Sequence, residues 1–137
     1  MSPWLALLGL ARRAGQLRLG EEAARQAVQD HKARLVLLCA DAGETTARRV
    51  RALEGEKLPV LTLPEGKAEL GAALGLGELA AVAVCDLGFA CAVAEKLAET
   101  EPSCGAVCQA LRARQDKALR RKADTARHGK KSARRKP

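Results

Sequence analysis

Aromatic side chains are scarce in this chain: its 137 residues hold one Trp, one Phe and no Tyr. Modules that read single-stranded nucleic acid stack bases on exposed aromatic rings. Trp4 and Phe89 both lie in apolar surroundings, which suits core packing. This argues against a stacking platform, and any nucleic-acid target is expected to be structured and read by shape. Histidine is nearly as rare. His31 falls at the end of a helical segment and His128 in a basic C-terminal stretch, and neither stands beside a Ser or Cys in a pattern that nominates a nucleophile and its base. No catalysis and no cofactor are expected. The five cysteines, Cys39, Cys85, Cys91, Cys104 and Cys108, show no C-x-x-C spacing. Cys104 and Cys108 can share a helical face but have no third ligand, so no metal is expected. Their odd count, with Cys39 and Cys85 inside apolar strand-like runs, reads as buried, reduced thiols. Long apolar runs are missing too. The start, Trp4 to Ala11, lacks a basic leader and a small-residue cleavage site, is too short to span a bilayer, and is followed at once by Arg12 and Arg13. It reads as the buried first helix of a cytoplasmic protein with no membrane partner.

What the chain does have is small aliphatics and an uneven charge. Ala, Leu and Val dominate the apolar residues, enough for one core of roughly a hundred residues. The net charge is +8, but from Arg112 onward twelve Lys or Arg face only Asp116 and Asp124, a net +10. Residues 1–51 carry +4 and residues 52–111 carry −6. Basic surface thus lies in the first third and at the C-terminus, where it forms a handle for a polyanion, most often nucleic acid.

Along the chain, helical and extended signals alternate. Residues 3–14 are helical and Gly15 ends the segment. Residues 16–19 are extended. Residues 21–30 form an amphipathic helix with Ala24, Ala27, Val28 and His31 inward and Glu22, Arg25, Gln26 and Gln29 outward. The continuous apolar run 35–40 suits a strand covered on both faces. Asp41, with Glu44 three residues on, reads as the cap of a helix to about Leu53. Residues 59–63 are a strand, 67–74 a helix and 80–85 a strand, and Asp86 caps a last helix to about Glu99. Gly75 and Gly77 read as a helix stop and a tight turn, not a phosphate loop, because they precede a strand. The break at Glu101, Pro102 and Ser103 closes a domain of residues 1–101. Residues 102–137 form a basic tail, helical over 105–122 and unfolded by itself over 123–137. This alternation implies a three-layer α/β/α sandwich.

One site stands out from the residues themselves. Gly20 permits close backbone approach, and the first-turn amides behind it are free donors. Glu22, Arg25, Gln26 and Gln29 form a polar stripe whose carboxylate, guanidinium and amides match base edges. The plainer reading of the same stripe is a helix start with an exposed Glu22–Arg25 pair.

Four segments, LGLARRAGQLRLGEE (8–22), ARLVLLCADAGE (33–44), LGAALG (70–75) and VCDLGFA (84–90), together resemble bacterial YlxQ-type members of the L7Ae and L30e ribosomal-protein family, which bind kink-turn RNA. The resemblance spans about residues 4–99 and none of the tail. It implies a mixed four-stranded sheet in the α/β/α sandwich, with residues 16–19 as a short edge strand. Its implied partner is a structured kink-turn RNA, ribosomal or in a messenger leader, with ribosomal proteins as further neighbours. The implied contacts are Gly20, Glu21, Glu22, Ala23 and Gln26 at the helix start. A second contact is an apolar loop, Glu78, Leu79, Ala80 and Ala81, packing on an extruded base. Asp41 and Ala42 lie near the same surface, and Arg25, Arg12, Arg13 and Arg18 supply charge beside it. The chain departs from the ribosomal members, which have Asn then Glu where it has Glu22 and Ala23, and Lys where it has Gln26; Glu22 agrees with the YlxQ-type pattern. The resemblance points to a non-catalytic, ribosome-associated RNA-binding protein. The alternative is a protein-interaction module of ribosome assembly or translation with a degenerate RNA groove.

Overall fold

The computed structural model describes residues 2–55 and 57–135. In order these form α1 (Pro3–Arg13), β1 (Leu17–Leu19), α2 (Glu21–Gln29), β2 (Leu35–Cys39), α3 (Glu44–Arg51), β3 (Val60–Leu63), α4 (Lys67–Ala73), β4 (Ala81–Val84), α5 (Leu87–Thr100), a 3-10 turn (Pro102–Cys104) and α6 (Gly105–Arg135). The four strands make one sheet in the order β1-β4-β2-β3. β4 runs antiparallel to both β1 and β2, and β2 and β3 are parallel. The sheet is mixed, and β1 is an edge strand, as expected.

Strand alternation sorts the apolar residues to two faces. Leu35, Leu37 and Cys39 of β2, with Val82 and Val84 of β4, pack under α1, α4 and α5. Val36 and Leu38, with Ala81 and Ala83, pack under α2 and α3. The second face is lined by small residues on both sides, Ala24 and Ala27 against Ala81 and Ala83, so α2 sits close on β4. Three layers result. The apolar core reaches past residue 101 into Cys104 and Leu111.

Three helices end alike. At α1, Gln16 N–H donates to Ala11 C=O and Gly15 N–H to Arg12 C=O; α4 repeats this with Leu76 to Gly71 and Gly75 to Ala72. Both stop on a left-handed glycine, Gly15 at φ +74° and Gly75 at φ +72°, which closes the last carbonyls. At α2 the same bonds run from Lys32 to Ala27 and from His31 to Val28, with His31 in the glycine position at φ +58°.

Three expectations are corrected. His31 is exposed and outside the helix, because its left-handed backbone turns it off the apolar face. Asp41 does not cap α3, which runs from Glu44 to Arg51 with Gly43 as its N-cap. Its Oδ1 instead accepts from Lys67 N–H at 2.8 Å, because the ends of the parallel β2 and β3 bring the start of α4 within reach. The C-terminal helix does not stop at Lys122 but continues to Arg135; residues 106–128 contain no Gly or Pro and are rich in Ala, Arg and Lys, strong helix formers. Lys136 and Pro137 of the expected tail lie outside the described residues. Among the described residues, no helix is long and apolar enough to cross a membrane.

Candidate nucleic-acid interface

Sheet topology decides which segments meet. β1 and β2 finish at the end of the sheet where the antiparallel β4 begins, so the start of α2, the residues after β2 and the loop before β4 share one end. Backbone bonds lock them together: Gly20 N–H donates to Ala81 C=O at 2.9 Å and Cys39 N–H to Ala80 C=O at 2.8 Å. Residues near 20, 40 and 80 thus become neighbours, and the expected contact set is brought to one surface.

Gly20 is the pivot. Its φ of +95° and ψ of 163° fall in a region that only glycine occupies readily. A methyl group there would meet no atom within 4 Å, so conformation, not crowding, calls for glycine, and the space above it is open. No side chain caps α2. The amides of Glu21, Glu22 and Ala23 therefore face out of the helix end as donors, at the positive end of the helix dipole.

The side chains around this start are placed unevenly. Glu22 and Arg25 are exposed. Glu21 is drawn aside by Arg49 of α3, whose Nε lies 2.9 Å from Glu21 Oε1, an ion pair without hydrogen-bond alignment, since that oxygen is buried with no hydrogen-bond partner. Ala23 is half-buried. Gln26 donates to Asp30 Oδ1 at 3.2 Å along the exposed face. Gln29 stands at the far end of α2, roughly 10 Å along the axis from Glu22 at 1.5 Å per residue, and is not part of this surface.

The loop before β4 is held from three sides. A methyl at Gly71 would overlap the Gly77 carbonyl, so α4 and the loop touch backbone to backbone. Arg12 Nη1 donates to Leu74 C=O, and Leu79 N–H donates to Lys67 C=O at 3.2 Å. Leu79 is half-buried against the core, Ala80 is half-buried, Ala81 is buried in β4, and Glu78 is exposed. The exposed apolar side chain of this loop is Leu76, 39% accessible. Asp41 is exposed and engaged with α4, and Ala42 packs on the α2 side of the core. A methyl at Gly66 would come within 2.8 Å of Asp41 Oδ2, so that glycine makes room for the contact.

Of the arginines expected to supply charge, Arg25 and Arg13 are exposed. Arg12 serves the loop, and Arg18 donates to Gly15 C=O at 3.0 Å. Two residues at this end escape the sequence reading, Arg49 and Leu76. Arg49 becomes visible only when α3 packs beside α2. Leu76 carried a signal, an isolated apolar residue between Gly75 and Gly77 with no element to bury it.

A mixed sheet between two helical layers, with an open helix start bonded to the loop before its antiparallel strand, defines a small α/β/α domain built on backbone donors. The chain belongs to the Ribosomal protein L7Ae/L30e/S12e/Gadd45 family, whose sequence profile matches residues 3–94. It is 39% identical over 91 residues to the RNA-binding protein YlxQ of Bacillus subtilis, covering 64% of this chain and 87% of that relative. A solved structure of a protein of unknown function from Bacillus halodurans superposes with a TM-score of 0.65 at 38% identity, covering 70% of this chain and 97% of that one. A 15.5kD RNA binding protein of Giardia lamblia shares the fold, with a TM-score of 0.58 at 24% identity over 72% of this chain and 84% of its own.

Proposed function

We propose that this chain is a non-catalytic RNA-binding protein that grips a structured RNA of kink-turn type, ribosomal or in a messenger leader, and works in the cytoplasm beside ribosomal proteins. The observation that carries the reading is the junction at Gly20: an uncapped helix start, open to approach, bonded through Gly20 N–H to Ala81, the first residue of β4 after the loop. A kinked RNA widens a groove enough to admit a helix end. The amides of Glu21 to Ala23 then face acceptors, Glu22 can accept from base amino groups, and Arg25 can donate in a fork. Leu76 and Leu79 offer apolar surface to an extruded base. The likeness to a relative named as RNA-binding protein YlxQ supports the same class of ligand.

Gel shift of the full chain with a kink-turn RNA and with a plain duplex of equal length, at low salt, tests this. The kink-turn binds more tightly, and Glu22→Ala and Arg25→Ala each weaken that complex by about 1–3 kcal/mol, the worth of a good bidentate base contact. Equal binding of both RNAs, or no effect of either substitution, refutes it and favours the protein-interaction module.

A further inference from the structure

The opposite end of the sheet carries a second concentration of charge that the Gly20 surface does not use. Arg34 precedes β2, Lys57 precedes β3, and Cys85 and Asp86 follow β4. All three positions lie at the end remote from Gly20, roughly 15 Å away along the five residues of β2 at about 3.3 Å per residue. Here α6 crosses the body. Arg114, Lys117 and Arg121, spaced three and four apart on one helical face, converge with Arg34 and Lys57 on an open cleft of about 540 Å³.

Among the described residues, five cations thus share one cleft with one acid, Asp86. That carboxylate caps α5, its Oδ2 accepting from Phe89 N–H at 2.9 Å, and it balances only one of the five positive charges. The convergence is built into the fold. Leu111 and Cys104 anchor the start of α6 in the core, Arg112 Nη2 pairs with Glu95 Oε2 at 2.7 Å, and Arg114 Nη1 donates to Lys57 C=O at 2.6 Å. Lys57 is one of only three cations among residues 52–111, a stretch of net −6. It stands where α6 meets the body, its carbonyl accepting from Arg114. Like charges gathered in excess over the acids described beside them suit a polyanion that spans several of them.

We infer that this cleft is an RNA phosphate-backbone site, so that the chain holds two segments of RNA at once, one at each end of its sheet. This extends the proposed function, since it assigns a second contact to the same class of ligand. The cleft reads charge and not base identity: Lys57, Lys117 and Arg121 neutralise phosphates, while Arg114 also ties α6 to the body. It binds unstructured RNA that the Gly20 end has no means of selecting.

The test uses the full chain and a twelve-nucleotide oligouridylate, with binding followed by fluorescence anisotropy across a salt series. One variant combines Lys57→Gln, Lys117→Gln and Arg121→Gln. A charge-matched control combines Lys130→Gln, Lys131→Gln and Arg134→Gln, and circular dichroism melts confirm that both fold. The cleft variant loses at least about tenfold in affinity at low salt, and its log–log salt slope falls by about 2, as three lost contacts at about 0.7 each require. The control loses less than about threefold. Equal losses in the two variants overturn the cleft in favour of charge spread along the helix, and no loss in either overturns it outright. A polyglutamate of matched charge that binds as tightly, with the same loss in the cleft variant, reassigns the cleft to an acidic protein and also overturns the inference. Failure of the proposed function is separable: a wild-type chain with no preference for kinked RNA refutes that reading and leaves the oligouridylate result standing.

Discussion

At single residues, backbone conformation explains more than side-chain identity does. Gly20 is held in a glycine-only region, so bulky substitutions there strain the fold before they block a ligand; Glu22 and Arg25, both exposed, are the cleaner probes. His31 is the reverse case, a side chain where glycine belongs, at φ +58°. The left-handed conformation costs a non-glycine residue about 1–2 kcal/mol, partly offset by the extra unfolded-state freedom of glycine. His31→Gly is therefore expected to raise stability by about 0.5–1 kcal/mol in urea titrations, and a loss of stability would contradict the left-handed helix end. Cys39 supplies a chemical probe. Burial first, then Asp41 and Glu65, pushes its thiol up to about 11, and its Sγ donates to Leu79 C=O at 3.0 Å. The folded state favours the protonated thiol, so its contribution is full below the ordinary value near 9 and is lost as pH rises through about 11. Native alkylation at pH 8, followed by peptide mass mapping, should modify the half-buried Cys85 and Cys108 well before Cys39. Equal rates would show that the loop before β4 does not cover it.

At the level of elements, the strands and most helices were legible because their signals are local. The run 35–40 is apolar throughout and becomes the doubly covered β2; Asp86 caps α5 as its position suggests. What was not legible depends on partners distant in sequence. Asp41 looks like a cap for the helix that follows it, yet it serves α4, 26 residues on. The buried Glu65 accepts from Trp4 Nε1 at 2.6 Å and from Ser2 Oγ at 2.9 Å, a tie between α1 and the start of α4 with no sequence signature. The candidate site divides in the same way. Gly20 and the polar stripe of α2 could be read directly, whereas residues 78–81 entered through family resemblance, and Arg49 needed the packing of α3. α6 is the element most changed from expectation, since Leu111 within it is 1% exposed. Leu111→Ala should destabilise the protein by about 2–5 kcal/mol in denaturant unfolding. A cost under about 1 kcal/mol would mean that α6 is detached from the body.

At the scale of the molecule, the two ends of one sheet carry different chemistry. The Gly20 end offers backbone donors, exposed polar side chains that include Glu22 and Arg25, and apolar loop residues, which suit recognition by shape. The α6 end offers cations, which suit phosphates of any sequence. Between them lies one hydrogen-bonded sheet of four strands, which keeps the two ends apart. Amide chemical-shift mapping of the full chain during titration with a kink-turn RNA tests the central assignment most directly. Gly20 to Ala23 and residues 78–81 are expected to shift first and most strongly, and a plain duplex of the same length to leave them nearly unmoved. Shifts confined to the acidic surface after Leu53, or to the α6 end alone, would contradict it.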